Sequence, residues 1–364
     1  MNISFTQSDL NSALQIVQRA VSAKSILPIL SGILFNIDNG HVELCSTDLE
    51  LSIKYRLAVE IKDDTPVVIP ARLVSDIVKN LPDAKVDIYS DAKSGSVKLS
   101  CGSASFDINT YPVDDFPRFP ELDSEKKITI GGKKFSAAVK QVIKAVSKDE
   151  TRPVLCGILL TIDKGRLTMV TTDSYRLAVH ESSVEGLADD INVIIPARCM
   201  DEVARICGDE AIEIGLTKNQ IYFSFGNVAI VSRLIEGNFP PYKQLLPDSC
   251  DIRVKLNRDR MISALKRVSL LAHNNALVKI KVEEKKIQVS AMTADVGSAL
   301  EYIDANASGG EMEVAFNAQY LIDGLSSINE EEVFLELNSP LKPGIIRPAV
   351  AQDFLYLAMP VRIG

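Results

Sequence analysis

Leu30-Ser-Gly-Ile-Leu-Phe-Asn-Ile-Asp-Asn-Gly40 and Leu155-Cys-Gly-Ile-Leu-Leu-Thr-Ile-Asp-Lys-Gly165 are two versions of one segment. Each runs on, at the same spacing, to a Thr-Asp pair, Thr47-Asp48 and Thr172-Asp173. Two more blocks recur in the same order: Val68-Ile-Pro-Ala-Arg72 returns as Ile194-Ile-Pro-Ala-Arg198, and Phe116-Pro117 as Phe239-Pro240. Blocks repeating in order at nearly one offset mean a duplicated structural unit. A weaker third copy follows, with Asn257 to Leu271 echoing Lys133 to Ala145 and a Thr-x-Asp at Thr293-Ala294-Asp295. Val314-Ala-Phe-Asn317 stands where Ile-Ile-Pro stood. The chain therefore divides into three units of about 120 residues, 1–124, 125–250 and 251–364, joined by polar, Pro-bearing linkers near Pro120 and Pro247.

Within a unit the hydrophobic period alternates between 3.6 and 2. Leu10, Ala13, Leu14, Val17 and Val21 form the stripe of an amphipathic helix, with Ser8 as expected N-cap and Asp9 in the first turn. Short runs rich in Ile, Val and Leu follow (Ile33 to Ile37, Val42 to Cys45, Leu51 to Leu57), the first two separated by the turn Asp38-Asn39-Gly40. Pro70 opens a second helix over Ala71 to Lys79, and three more strands reach Asn109. Each unit reads helix, strands, helix, strands. The fold class is α+β: three similar domains, each of two helices and two antiparallel sheets.

The 364 residues are 46% hydrophobic and 24% charged, a globular composition. No run approaches the roughly 18 apolar residues of a membrane span, and Met1 to Phe5 lacks the pattern of a signal peptide. Six dispersed cysteines without a C-x-x-C pair read as reduced thiols of a cytosolic protein. The net charge is −8, yet the six expected helices together carry +9 and the rest of the chain −17. Either the helices share a face that looks at a polyanion, or their lysines are ordinary solvated ones.

Signatures of catalysis were sought. His41, His180 and His273 have no acidic or cysteine neighbours at ligand spacing, so no metal site is expected. Phosphate-cradling Gly-rich motifs and a nucleophile elbow are absent, so no cofactor and no catalytic residue are expected. The recurring Asp48, Asp173 and Asp295 read as turn residues that accept backbone N–H groups, because a catalytic site seldom occurs three times in one chain.

Thr172 to Ala178 (Thr-Asp-x-x-Arg-Leu-Ala), the Ile-Pro-Ala-Arg blocks, Phe239 to Tyr242 and the ending Met359-Pro360-Val361-Arg362-Ile363 together resemble the bacterial DNA polymerase III beta subunit, the beta sliding clamp. The resemblance covers the whole chain. It implies a DNA clamp fold, with helices inside and sheets outside a ring made by a head-to-tail homodimer around double-stranded DNA. It implies a non-enzymatic processivity factor, in a bacterial cytoplasm at the nucleoid and away from membranes. The implied partners are the polymerase III alpha subunit, the clamp loader, and other polymerases and repair proteins.

Carried over by position, Lys24, Arg72, Lys148 and Arg152 would meet DNA phosphates without reading sequence, and Phe106, Leu270 and Leu271 would form the subunit joint. A pocket for a short extended motif would be lined by Leu155, Thr172, Ser174, Tyr175, Arg176, Leu177, Pro240, Gln244, Leu245, Leu341, Leu357, Met359, Pro360, Val361 and Arg362. Read without the resemblance, Leu355 to Pro360 suits a buried last strand equally well. Ser174-Tyr175 stands where many relatives have Gly-His, and Gln244 where some have a basic residue. Asp149, Pro153 and Val154 replace polar or aromatic residues of some members, and Lys148 and Arg152 are expected to compensate. Two other readings stay open: a peptide-binding adaptor through which no DNA passes, and a divalent-metal enzyme using the repeated aspartates.

Overall fold

The structure, a computed structural model, describes residues 2–22, 27–38, 40–63, 65–90, 95–120, 126–184, 190–247, 249–272 and 277–362. Lys24, Asn39, His273, Ile363 and the first linker at 121–125 lie outside the described residues.

One order of elements occurs three times, with a strand, β5, added in the first copy. The first copy is β1 (Asn2–Thr6), α1 (Gln7–Val17), β2 (Gly32–Asp38), β3 (His41–Thr47), β4 (Leu51–Ala58), β5 (Glu60–Asp63), β6 (Val67–Pro70), α2 (Ala71–Lys79), β7 (Lys85–Ser90), β8 (Ser96–Cys101) and β9 (Ala104–Asn109). The second is β10 (Lys126–Gly131), α3 (Gly132–Val142), β11 (Gly157–Asp163), β12 (Arg166–Thr172), β13 (Arg176–Ser183), β14 (Ile191–Pro196), α4 (Ala197–Ile206), β15 (Ala211–Leu216), β16 (Gln220–Phe225) and β17 (Val228–Arg233). The third is β18 (Ile252–Asn257), α5 (Arg258–Val268), β19 (Leu277–Glu283), β20 (Lys286–Thr293), β21 (Gly297–Ser308), β22 (Met312–Asn317), α6 (Ala318–Leu325), β23 (Glu332–Leu337), β24 (Gly344–Pro348) and β25 (Phe354–Ala358).

By its contacts the chain forms two compact units, residues 1–133 with 202–234, and residues 134–201 with 235–364. They do not follow the repeats, because strands of neighbouring repeats pair. The first unit holds a sheet of order β5-β1-β7-β8-β9 and another of order β10-β15-β16-β17-β4-β3-β2-β6. The second holds one sheet of order β14-β11-β12-β13-β25-β24-β23-β18-β21-β20-β19-β22. All these pairings are antiparallel. The eight-stranded sheet and the first eight strands of the long one match strand for strand, with β4·β17 in one where β13·β25 stands in the other.

Apolar stripes on the helices explain their placement. α1 buries Leu10, Ala13, Leu14 and Val17 against α2, β3 and β4, and α5 buries Met261, Ala264, Leu265 and Val268 against α6, β20 and β21. Each buried Leu, Val or Met among them contributes about 1.5–3 kcal/mol, and each Ala less.

The cap of α1 is Thr6 rather than Ser8. β1 stays extended to Thr6, whose Oγ1 accepts from the Asp9 N–H at 3.1 Å, and this leaves Ser8 inside the first turn. Pro70 ends β6 and occupies the N-cap position of α2. Asp48 Oδ1 accepts from the N–H groups of Glu50 and Leu51, and Asp173 Oδ1 from those of Tyr175 and Arg176, the turn role expected of both. β20 ends at Thr293, before Asp295, where the Val296 N–H closes a turn onto the Thr293 carbonyl.

Candidate functional site

In the second unit β13 lies beside β25, with Leu177 opposite Leu357 and Val179 opposite Leu355. Strand alternation sends these four side chains to one face, where Val170, Leu159, Ile194 and Ile345 extend the apolar row across six strands. Val154, Ile235, Phe239, Tyr242, Leu246 and Met359 pack against this row half-buried. Partly covered apolar surface of this kind can seat the apolar side chains of an extended peptide.

Of the expected lining, Leu177, Leu357 and Met359 meet in this cluster. Leu155 is buried in a 3-10 turn whose Val154 reaches the cluster. Pro240, Gln244 and Leu245 are exposed around the 3-10 turn Tyr242–Leu245, and Leu341 is exposed between β23 and β24. Pro360 is half-buried; Val361 and Arg362 are exposed, and the Val361 N–H donates to the Ala315 carbonyl. Sequence reading missed Ile235, Phe239, Tyr242 and Leu246 as packing partners. The Phe239-Pro240 block was visible as a repeat, but nothing in it told which of the rings nearby would turn inward.

The other expected residues build the turn into β13. The Thr172 hydroxyl donates to the Arg176 carbonyl at 2.7 Å and accepts from the Ser174 N–H at 3.1 Å. Ser174 has φ +82°, in the left-handed region where glycine is at ease. The Tyr175 carbonyl accepts from the Met359 N–H, and its ring, 60% exposed, stacks on Tyr320 at 6.5 Å. Arg176 points to the face of β13 opposite Leu177. Its Nε reaches Asp173 at 2.8 Å, its Nη1 meets Asp323, and its guanidinium lies 4.6 Å from the Tyr320 ring centre. Burial works against the charge of Arg176, but Tyr356, Asp323 and Asp173 together raise its pKa. Burial also pushes the Tyr356 hydroxyl up, partly offset by Arg176.

The basic candidates differ in how much charge they present. Arg72 on α2 is 95% exposed and meets Asp76 at 3.9 Å, and Lys148 is exposed. Arg152 is occupied: Nε pairs with Asp149 at 2.9 Å and Nη1 donates to Ser174 Oγ at 3.0 Å. Lys144 is half-buried, and burial lowers its pKa against the pull of Asp323. On α5, Arg260 pairs with Asp304 and Arg267 with Glu301, so part of the helical excess is neutralised locally. Phe106 is half-buried on β9, Leu270 is 81% exposed after α5, and Leu271 is half-buried. Met292, Leu300 and Tyr302 of β20 and β21, not anticipated, are also exposed.

Family models for the N-terminal, central and C-terminal domains of the DNA polymerase III beta subunit match residues 1–120, 129–241 and 243–362. Beta sliding clamps of Staphylococcus aureus and Staphylococcus epidermidis are 31% and 32% identical over 357 residues, 94% of each chain. The sliding clamp of Bacillus subtilis superposes with a TM-score of 0.95 at 28% identity, and the beta subunit of Thermotoga maritima with 0.94 at 27%, each over the full length of both chains. The chain therefore belongs to the DNA polymerase III beta subunit family, and it is a DNA sliding clamp.

Proposed function

We propose that two copies of the chain close head to tail into a ring around duplex DNA and act there as a non-catalytic processivity factor. The observation that carries this is the strand pairing between repeats. β4 joins the first repeat to β17 of the second, and β13 joins the second to β25 of the third, by equivalent antiparallel pairs. Two complementary edges remain among the described residues. β9 pairs with β8 alone, and the first half of β21 pairs with β20 alone, since β18 takes only Ala305 to Ser308. A second copy offers β9 to β21 and β21 to β9, so the same joint closes the assembly. Phe106 holds in β9 the register position that Ile230, opposite Ile53, holds in β17, which supports its place at the joint with Leu270 and Leu271.

Encirclement makes strong DNA contacts unnecessary. Lys24, Arg72, Lys148 and Arg152 serve as weak, sequence-blind phosphate contacts that permit sliding. The apolar row beside β13 and β25 receives the extended motifs of the polymerase III alpha subunit, the clamp loader and other polymerases and repair proteins. The domains act as 1–124, 125–250 and 251–364, in a cytoplasmic protein gathered at the nucleoid. Among the described residues no helix is long and apolar enough to cross a membrane.

The test is retention on nicked circular DNA, with an active clamp loader and ATP, before and after linearisation. Retention on the circle and loss from the linear form is expected. Equal retention on both would mean ordinary surface binding, and none on either an adaptor.

A further inference from the structure

The first unit contains a second cleft on the frame that carries the apolar row of the second. In the second unit the row runs Ile194, Leu159, Val170, Val179, Leu355 across directly paired strands. The matching register in the first unit runs Val68, Leu34, Cys45, Lys54, Ala229, and continues into Ser224 and Glu213. Its first half is apolar and packs with Phe116, of the block that recurs as Phe239-Pro240, and with Phe119. Its second half has Lys54 and Ala229 where the second unit has Val179 and Leu355, and Ser224 and Glu213 where that unit has Arg347 and Phe334. A cavity of about 510 Å³ opens there, the size of a ligand site rather than a packing defect.

The walls have a definite chemistry. Among the described residues Lys54, Arg56 and Lys127 line the cavity with Glu213 the only acid, in a chain whose net charge is −8. Glu43, which neutralises Lys54 at 3.2 Å and Arg56 at 2.7 Å, is buried beneath them at 5% exposure. Its charge is withheld from solvent, while the guanidinium of Arg56, which also meets Asp38 at 3.4 Å, and the ammonium of Lys127, paired with Glu213 at 2.9 Å, stay more than half exposed. The Phe119 ring holds the Lys54 ammonium at 4.6 Å, and Tyr222 supplies a second aromatic wall. Gly215, Ser224 and Ala229 leave the floor low. Cationic donors over a buried counter-charge, beside two rings, match carboxylates spaced around an aromatic side chain.

We propose that this cleft is a second peptide-docking site, taking an extended acidic segment of a partner protein with an aromatic residue among its carboxylates. The choice of a peptide as occupant rests on the proposed reading of the apolar row in the second unit; the charge preference does not.

The test is fluorescence anisotropy on the full chain with a labelled synthetic peptide of Glu and Asp flanking one Phe. The same peptide with Lys for every acid is one control, and an uncharged Leu- and Phe-bearing peptide probes the apolar row. Lys127→Glu and Tyr222→Ala alter the new cleft at exposed or half-buried positions, and retention on circular DNA checks that both variants are folded. Met359→Glu alters the apolar row alone. The expected result is binding of the acidic peptide, weakened about tenfold or more by either cleft variant. Met359→Glu leaves it unchanged, and the lysine version does not bind. The proposal is overturned if both cleft variants bind the acidic peptide as the parent does, if no binding is seen at millimolar peptide, or if adenosine monophosphate binds there and the peptide does not. Failure of the uncharged peptide alone would remove the apolar-row reading and leave the acidic cleft standing.

Discussion

Arg176, 9% exposed, is held between Asp173 and Asp323 beneath the ring of Tyr320. Removing one member of a buried charged set leaves the others unpaired, so Arg176→Met is expected to lower stability by about 3 kcal/mol, read as a shift in urea unfolding. His180, four positions on and on the same face, is a second probe. Its Nδ1 lies 2.6 Å from Gln141 Oε1, and an amide oxygen only accepts, so the neutral ring carries its proton there. Burial lowers its pKa, against the pull of Asp353 and Glu181. The unfolded chain therefore binds the proton more readily, and the stability due to the neutral ring is complete above the ordinary histidine range and lost as pH falls through it. Unfolding measured from pH 7.5 to 5 should show a smaller loss in His180→Gln than in the parent. The Thr-Asp-x-x-Arg spacing made the turn legible, because its bonds span four residues or fewer. The Arg176 partner 147 residues away was not, since nothing local records which helix will cover β13.

Elements were read well where one period persists. α2 begins and ends where its stripe does, and β2, β3 and β4 contain the expected apolar runs. What sequence could not supply was pairing across repeats, since β13 is equally hydrophobic whether its neighbour is β25 or solvent-facing. Gly324 shows how closely such neighbours sit. A Cβ there would lie 2.4 Å from the Tyr356 ring, so α6 rests on β25 only because the side chain is absent. Gly324→Ala is expected to cost about 1–3 kcal/mol through overpacking. Because Tyr356 shares a strand with Leu355 and Leu357, the substitution should also weaken binding of an apolar peptide, which anisotropy would read. An unchanged affinity would separate α6 from the apolar row.

For the whole molecule, charge segregation was legible by counting, but its use was not, because Arg260, Arg267 and Lys144 are drawn to acidic neighbours or inward. The exposed pair Arg72 and Lys148 gives the sharper test. Arg72→Glu with Lys148→Glu should slow loading onto circular DNA and flatten its salt dependence, yet leave the lifetime of loaded protein on the circle nearly unchanged. A lifetime that fell with loading would mean that contact, not closure, holds the protein. The joints built by β4·β17 and β13·β25 differ from the proposed joint of β9 with β21 in one respect, covalent connection. The tethered joints re-form at the high effective concentration set by their own chain, whereas the third depends on how many free copies the cell supplies. The three equivalent seams of each copy thus have unequal permanence: dilution unzips one per copy and leaves two shut, and the proposed ring acquires doors without any residue devoted to being a hinge.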